Sequence, residues 1–326
     1  MPESTKTKTR PTPRSLAKEA YKELWLKGNG TCPGCSLSLS LRWALKALGP
    51  NTCVVAPASC TNVVVGLYPT SACGVPFTNM AFAAGASAGS GIKAGLRARG
   101  QHDTNVLVWV GDGGTFDIGI QALSGAAERG DDLIYVCYDN EAYMNTGTQR
   151  SGGTPFGAIT TTTPAGKKEH KKDLMAIVAG HHLDYLATAC SAYPLDFYDK
   201  LVKARSHRGL KFIHLLAPCP PGWRFQPRYA PKVGKLAVQT GMWILYEIEH
   251  GRMRLTGPSK RLARPDAQMK PLSEYLESQG RFRLATGEVY DELERWVLQN
   301  WQAVRDRLAS EAAHAANATD PGSQGN

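Results

Sequence analysis

No stretch of the chain approaches the roughly 20 unbroken apolar residues of a membrane span. The most apolar run, residues 80–96, is mostly Ala, Gly and Ser, and Lys93 interrupts it. The N-terminal MPESTKTKTRPTPRS has positive charge but lacks the apolar core of a secretory signal. Both absences point to a cytoplasmic protein with no membrane partner. Charged residues make up only 20% of the 326, against 42% hydrophobic, with 33 glycines and 20 prolines. That balance excludes a coiled coil, a collagen-like chain and a wholly disordered protein. Acids are the scarcer sign, 28 against 38 Lys and Arg. Between residues 200 and 264 there are 14 Lys and Arg and two acids, Glu247 and Glu249. Such a surplus suits nucleic acid, yet no helix-turn-helix, finger or RNA-binding signature accompanies it. An acidic protein partner or an anionic cofactor explains it equally well, and no nucleic-acid partner is expected. The eight cysteines do not suit a disulfide framework in a chain of this size and address. Metal ligation and buried thiols remain.

What is present is alternation. Short apolar runs at 52–56, 105–110 (NVLVWV), 133–138 (LIYVCY), 184–189 and 211–216 (KFIHLL) read as strands. Helical stretches at 80–97, 118–129, 172–181 and 194–206 lie between them, and another at 37–48 precedes them. The pattern predicts an α/β fold, a mostly parallel sheet with helices on both faces. Residues 1–14 read as a flexible basic arm, 15–225 as the ligand-binding domain, 226–311 as a C-terminal extension and 312–326 as a disordered tail. A helix is expected over 16–26, a basic linker over 257–269 and a last amphipathic helix over 288–308.

In an open parallel sheet, ligands gather beyond the carboxyl ends of the strands. The first strand runs out to Cys60, the second into Gly111-Asp112-Gly113-Gly114, the third into Asp139-Asn140-Glu141-Ala142, and the fifth to Cys219. Each taken alone is an ordinary loop residue. Together they put two thiols, a carboxylate and a carboxamide on one edge. A diphosphate held by Mg²⁺ needs hard oxygen ligands and small neighbours. Asp112 supplies a carboxylate, while Asn140 and the Ala142 carbonyl follow about 28 residues later. Gly111 and Gly113 would let the chain turn tightly beside phosphate. The segment 115–128 would present a helix N-terminus to it. Asp112, Asn140 and Ala142 are therefore the candidate Mg²⁺ ligands, and the order Gly-Asp-Gly, helix, strand, Asp-Asn resembles the pattern of the thiamine diphosphate fold.

Cys32-Pro33-Gly34-Cys35 lies on a loop before a helix. It reads as a redox pair or as half of a metal site. Cys53, Cys137 and Cys190 fall in or beside strands and read as buried thiols; Cys73, in a loop, is ambiguous. Cys32, Cys35, Cys60 and Cys219 remain as a four-thiolate set able to hold an iron–sulfur cluster.

With these motifs in place, the stretch GDGGTFDIGIQALSGAAERGDDLIYVCYDNEAYMNTG and the four cysteines resemble the β subunit of the 2-oxoacid:ferredoxin oxidoreductase family. The likeness runs from about Gly28 to Gly222 and continues weakly through QTGMWILYEIEHGRMRL and YLESQGRFR. It implies a thiamine diphosphate fold, Mg²⁺ on Asp112, Asn140 and Ala142, and one 4Fe-4S cluster on Cys32, Cys35, Cys60 and Cys219. It sets Tyr143-Met144-Asn145-Thr146-Gly147 beside the diphosphate, with Asn145 near the reactive thiazolium as the catalytic candidate. Where many members have a small or acidic residue after the CxxC pair, this chain has Ser36-Leu37-Ser38, so no role carries over to Leu37.

The resemblance further implies oxidative decarboxylation of a 2-oxoacid (pyruvate, another aliphatic oxoacid, an aromatic glyoxylate or oxalate) to acyl-CoA or CO₂. Electrons would leave singly through the cluster to ferredoxin or another acceptor, and coenzyme A would take the acyl group. The motif stretch offers no glutamate for the aminopyrimidine ring. The resemblance assigns that residue, with most of the substrate pocket, to partner subunits of the α, γ or δ type. Two other classes stay open: an electron-transfer or assembly subunit without turnover, and a basic nucleic-acid-binding protein with a four-cysteine zinc site. Bound thiamine diphosphate discriminates against the first, and iron with acid-labile sulfide against the second.

Overall fold

The computed structural model describes residues 23–264 and 266–318. Eight strands form one sheet: β1 (Thr52–Pro57), β2 (Phe77–Met80), β3 (Asn105–Gly111), β4 (Ile134–Asp139), β5 (Tyr185–Cys190), β6 (Lys211–Leu216), β7 (Tyr246–Glu249) and β8 (Arg252–Leu255). Their order is β2-β1-β3-β4-β6-β5-β7-β8. The pairs from β2 to β5 are parallel, whereas β7 runs antiparallel to β5 and β8 antiparallel to β7. The α/β class and the mostly parallel sheet are as the alternation predicts. The five strands read from sequence are β1, β3, β4, β5 and β6.

Side chains on a strand alternate between faces, and both faces here are covered. Leu107 and Trp109 of β3 pack with the helices Ser36–Leu48 and Pro194–Ala204. Val106, Val108 and Val110 pack on the other face with the helices Gly85–Ala98 and Ile120–Glu128. Burial on both faces is why these strands read as continuous apolar runs.

The structure departs from the sequence reading in four places. Residues 23–26 are extended, and Trp25 bridges Cys73; the rest of the helix expected over 16–26 lies outside the described residues, as does the arm 1–14. Residues 257–269 contain the short helix Ser259–Leu262, whose Ser259 hydroxyl accepts the Leu245 amide at 2.8 Å. The last helix runs from Gly287 to Ala318, past residue 312 where the tail was expected to begin; 319–326 lie outside the described residues. The extension 226–311 supplies β7 and β8 to the sheet, and a third apolar cluster joins its helix Ala230–Gln239 to Trp301 of the last helix.

Candidate active site

β1 has β2 on one side and β3 on the other, so the strand order reverses between β1 and β3. At such a reversal the connections leave on opposite sides and open a crevice beyond the strand ends. A cavity of about 140 Å³ lies there. It is lined by Ala58, Ser59 and Cys60 after β1 and by Gly111, Asp112, Gly113 and Gly114 at the end of β3. Asn140, Ala142, Asn145 and Thr146 after β4 complete the set expected from sequence. Phe82, Tyr138, Tyr143 and Met144 add an apolar wall. Phe82 and Tyr138 had no motif to mark them. Their only signal is position, Phe82 two residues past β2 and Tyr138 at the end of β4.

Gly113 is required by close packing. A Cβ there would stand 2.3 Å from the ring of Tyr143. That ring is held by its hydroxyl, which donates to Asp117 Oδ2 at 2.9 Å. Asp117 also accepts Gly152 N at 2.9 Å and pairs with Lys172 at 2.7 Å. The segment after Asp112 is not the start of a regular α-helix. Residues Gly113–Asp117 form a π-turn, and the α-helix begins only at Ile120, so the helix N-terminus expected at residue 115 lies one turn further on.

Asp112 is buried, and Ser151 Oγ donates to its Oδ2 in a short hydrogen bond. Burial, and next the negative charge of Asp139, push its carboxyl well above the usual range. One terminal atom of the Asn140 carboxamide stands 3.0 Å from Asp112 Oδ1 and 2.8 Å from the Ala142 carbonyl oxygen. With nitrogen at that point, Asn140 donates to both. Behind these residues lies a buried set of charges. Asp139 accepts from His214 Nε2 at 2.8 Å and pairs with Lys171 at 3.1 Å. Burial opposes ionisation of Asp139, but Lys171 and His214 outweigh it and lower its pKa. Burial lowers His214, leaving it a neutral donor.

The four candidate cluster cysteines converge on the same edge. Pro33 and Gly34 make a tight turn, with Gly34 at φ 72° and Cys35 N donating to Cys32 O at 3.1 Å. Pro then Gly at the centre of a turn suits the type II geometry. Cys35 precedes the helix Ser36–Leu48, whose Leu37 is a core residue. Cys60 opens the helix Cys60–Val65, and Cys219 precedes the short helix Pro220–Trp223. The Cys60 thiol is pushed up to about 12 by burial first, then by Cys35, Cys32 and Asp112. Cys219 is pushed up to about 12 by burial, then by Cys35, Cys60 and Cys32. Cys35 is raised by burial, and Cys32 adds to the rise. Every pair among the four thus senses the other's charge. Among the described residues, no three His, Cys, Asp or Glu side chains already stand as a metal cage. Cys137 and Cys190 are buried as expected, while Cys53 and Cys73 are half-buried.

The basic stretch 200–264 is in part internal. Lys200 is buried against Asp196 and the Thr188 carbonyl, and Lys211 is buried against Asp132. Lys203 and Arg254 both turn to Glu247.

Residues 60–215 match the family model of the thiamine pyrophosphate enzyme C-terminal TPP binding domain. Over 295 residues the chain is 45% identical to ketoisovalerate oxidoreductase subunit VorB of Pyrococcus horikoshii, covering 87% of this chain and 93% of that one. It is 46% identical over 288 residues to pyruvate synthase subunit PorB of Methanothermobacter marburgensis, covering 87% and 98%. Among solved structures, the 2-oxoglutarate:ferredoxin oxidoreductase of Magnetococcus marinus shares the fold with a TM-score of 0.52 at 20% identity, over 64% of this chain and 77% of that one. Identity at this level over nearly the whole length carries the family with it. The chain belongs to the thiamine pyrophosphate-binding β subunits of the 2-oxoacid:ferredoxin oxidoreductases.

Proposed function

We propose that the chain holds thiamine diphosphate, Mg²⁺ and one 4Fe-4S cluster in a multi-subunit enzyme that oxidatively decarboxylates a short aliphatic 2-oxoacid. Pyruvate and ketoisovalerate are the substrates suggested by the relatives' names. Coenzyme A takes the acyl group, and ferredoxin or a similar carrier takes the electrons. The observation that carries this reading is Cys60. It lines the cavity that Asp112, Asn140 and Ala142 also line, and it stands near Cys32, Cys35 and Cys219, close enough for the thiols to act on one another electrostatically. A cofactor in that cavity would lie beside whatever the thiols hold.

The donor sets fit both groups. An octahedral shell of oxygens at about 2.1 Å has edges of about 3 Å, and the Asn140 carboxamide stands at 3.0 and 2.8 Å from its two neighbours. With its oxygen turned inward, three oxygens face one another, an arrangement that calls for a cation. Asp112 is a buried carboxyl with no cation in contact, so a divalent ion would restore its ionised form. Three of the four thiols, Cys35, Cys60 and Cys219, have raised pKa values and need an electropositive centre to become thiolates.

Thiamine diphosphate supplies the carbon nucleophile and the electron sink for loss of CO₂. The chain's own part is to hold and to shield. Asp112, Asn140 and the Ala142 carbonyl would hold the metal and, through it, the diphosphate. Phe82, Tyr138, Tyr143 and Met144 give the cavity an apolar wall that would shield the cofactor, and Asn145 lines the cavity as a polar group that would face it. No glutamate lines the cavity among the described residues, and Glu141 is turned away into ion pairs. The aminopyrimidine partner therefore comes from another subunit. The test is a panel of 2-oxoacids on the anaerobically purified complex, with a viologen as acceptor. Reduction that needs both thiamine diphosphate and an aliphatic 2-oxoacid is the expected result. Zinc without iron or sulfide, or no bound thiamine diphosphate, would overturn the reading.

A further inference from the structure

Glu141 is the residue between Asn140 and Ala142, and its backbone is left-handed, with φ 64°. For a residue with a Cβ that conformation is sterically unfavourable. It persists because the N–H, the carbonyl and Oε1 of Glu141 are hydrogen-bonded and Oε2, which has no hydrogen bond of its own, is ion-paired with Arg281. Its N–H donates to Asp139 Oδ1 at 2.9 Å, and its carbonyl accepts Thr154 Oγ1 at 2.6 Å. Its carboxylate, buried, takes Lys171 Nζ on Oε1 at 2.9 Å and Arg281 Nη2 near Oε2 at 2.6 Å. Arg281 comes from the C-terminal extension, 140 residues along the chain. Its guanidinium lies 3.7 Å from the centre of the Trp223 ring. The indole N–H of Trp223 donates to the Asn140 carbonyl at 2.7 Å, and Trp223 N donates to Cys219 O at 2.8 Å. One connected unit therefore grips the Asn140–Ala142 step from behind and reaches the Cys219 turn.

We propose that Arg281 and Trp223 are positioning residues for the cofactor metal: by holding Glu141 left-handed, they aim Asn140 and the Ala142 carbonyl at Asp112. The proposal rests on the reading of those three groups as the metal site. Neither side chain lines the cavity, so their action is through the backbone step alone. It also gives the extension a role at the site beyond closing the sheet.

The test uses the assembled complex, stripped of Mg²⁺ and titrated with it at fixed thiamine diphosphate. Cofactor binding is read by fluorescence, with iron content and melting temperature alongside. In Arg281→Lys the planar fork and the stacking are lost while the charge stays. The apparent Mg²⁺ constant should weaken by about ten- to a hundredfold, the worth of a hydrogen bond to a charged group. Trp223→Phe keeps a ring beneath Arg281 and removes only the bond to Asn140; it should weaken the constant in the same direction, by about tenfold or less. Iron should stay at the wild-type level in both. Asp112→Asn is the reference for the metal site itself. If Asp112→Asn shifts the constant and neither other variant does, whatever happens to their melting temperatures, Arg281 and Trp223 are only structural and the proposal falls. If Asp112→Asn leaves the constant unchanged, the metal-site reading fails, and the proposal with it.

Discussion

Asp112 illustrates how a single side chain carries chemistry by being badly off without a ligand. It is buried, one of its oxygens is satisfied by Ser151, and the negative charge of Asp139 acts on it more strongly than the positive charge of Lys171. A structural aspartate would have a cation beside it, as Asp139 has Lys171. Asp112→Ala should therefore abolish tight thiamine diphosphate binding while leaving iron in place, and equilibrium dialysis with iron analysis separates the two. The cysteines permit a matching contrast. Cys219 and Cys190 are both largely enclosed thiols pushed up to about 12, but only Cys219 senses Cys32, Cys35 and Cys60. Cys219→Ser should lower iron well below the wild-type content, and Cys190→Ser should not. Equal loss in both would refute the four-thiol assignment. The sequence marked Asp112, Asn140, Cys60 and Cys219 by their places after strands, and Cys32 and Cys35 by their CxxC spacing. It left Phe82, Tyr138, Glu141 and Arg281 unmarked. Nothing in their types separates them from core or surface residues until the chain has brought them together.

At the scale of elements, legibility followed burial. β3, β4 and β6 are apolar on both faces and announce themselves as runs. β2 (FTNM) and the hairpin of β7 and β8 do not, being short, partly exposed and polar. The hairpin had one available signal. His250 and Gly251 form a two-residue loop with φ 49° and 79°, which suits a tight turn between twisted strands. The helix read over 118–129 is present as Ile120–Glu128, but the N-terminus placed at residue 115 falls within the π-turn Gly113–Asp117. At the opposite end of the sheet from the cavity, Asp132 ties the helix Gly85–Ala98 to the start of β6. It receives Lys93 at 3.0 Å and also Lys211, both buried. Burial alone would raise its carboxyl, but Lys211 and then Lys93 hold it below the ordinary aspartate value. Lys211 is itself lowered by burial in spite of Asp132, so the pair gives up part of its attraction to desolvation. Removing the acid takes the counter-charge from two buried ammonium groups, of which Lys93 keeps the His102 and Thr104 carbonyls, and Asp132→Asn should destabilise the fold by about 2 kcal/mol near neutral pH. The folded pKa lies below the unfolded one. The contribution is therefore present above the unfolded value of about 4 and is lost as pH falls through the folded value. In urea titrations the gap between wild type and variant should be constant at neutral and mildly acidic pH and should close at lower pH. A gap that persists undiminished in strong acid would show that the effect is not the carboxylate's charge.

The whole molecule is a scaffold with one edge crowded and incomplete. Beyond the strand ends stand the oxygens of Asp112, Asn140 and Ala142, an apolar wall, and four thiols, with no glutamate on the cavity among the described residues. The glutamate nearest in sequence, Glu141, is committed to Lys171 and Arg281. Part of the basic surplus is spent inside, on Asp132, Asp196 and Glu247, so the stretch 200–264 is no continuous basic face. Charge that does reach the surface would mainly speed encounter with an acidic partner, and salt would slow it. From this layout the isolated chain should fold, because its sheet and three apolar clusters are its own. On the proposed function it should be inactive, because that proposal assigns the aminopyrimidine acid to another subunit. Adding those subunits should restore decarboxylation, and reduction of an external acceptor should begin only when a 2-oxoacid is present. The deciding measurement is turnover by the single purified chain, supplied anaerobically with thiamine diphosphate, Mg²⁺ and pyruvate or ketoisovalerate. Substantial activity there would mean that this chain contains the missing acid and that the cavity is a complete site.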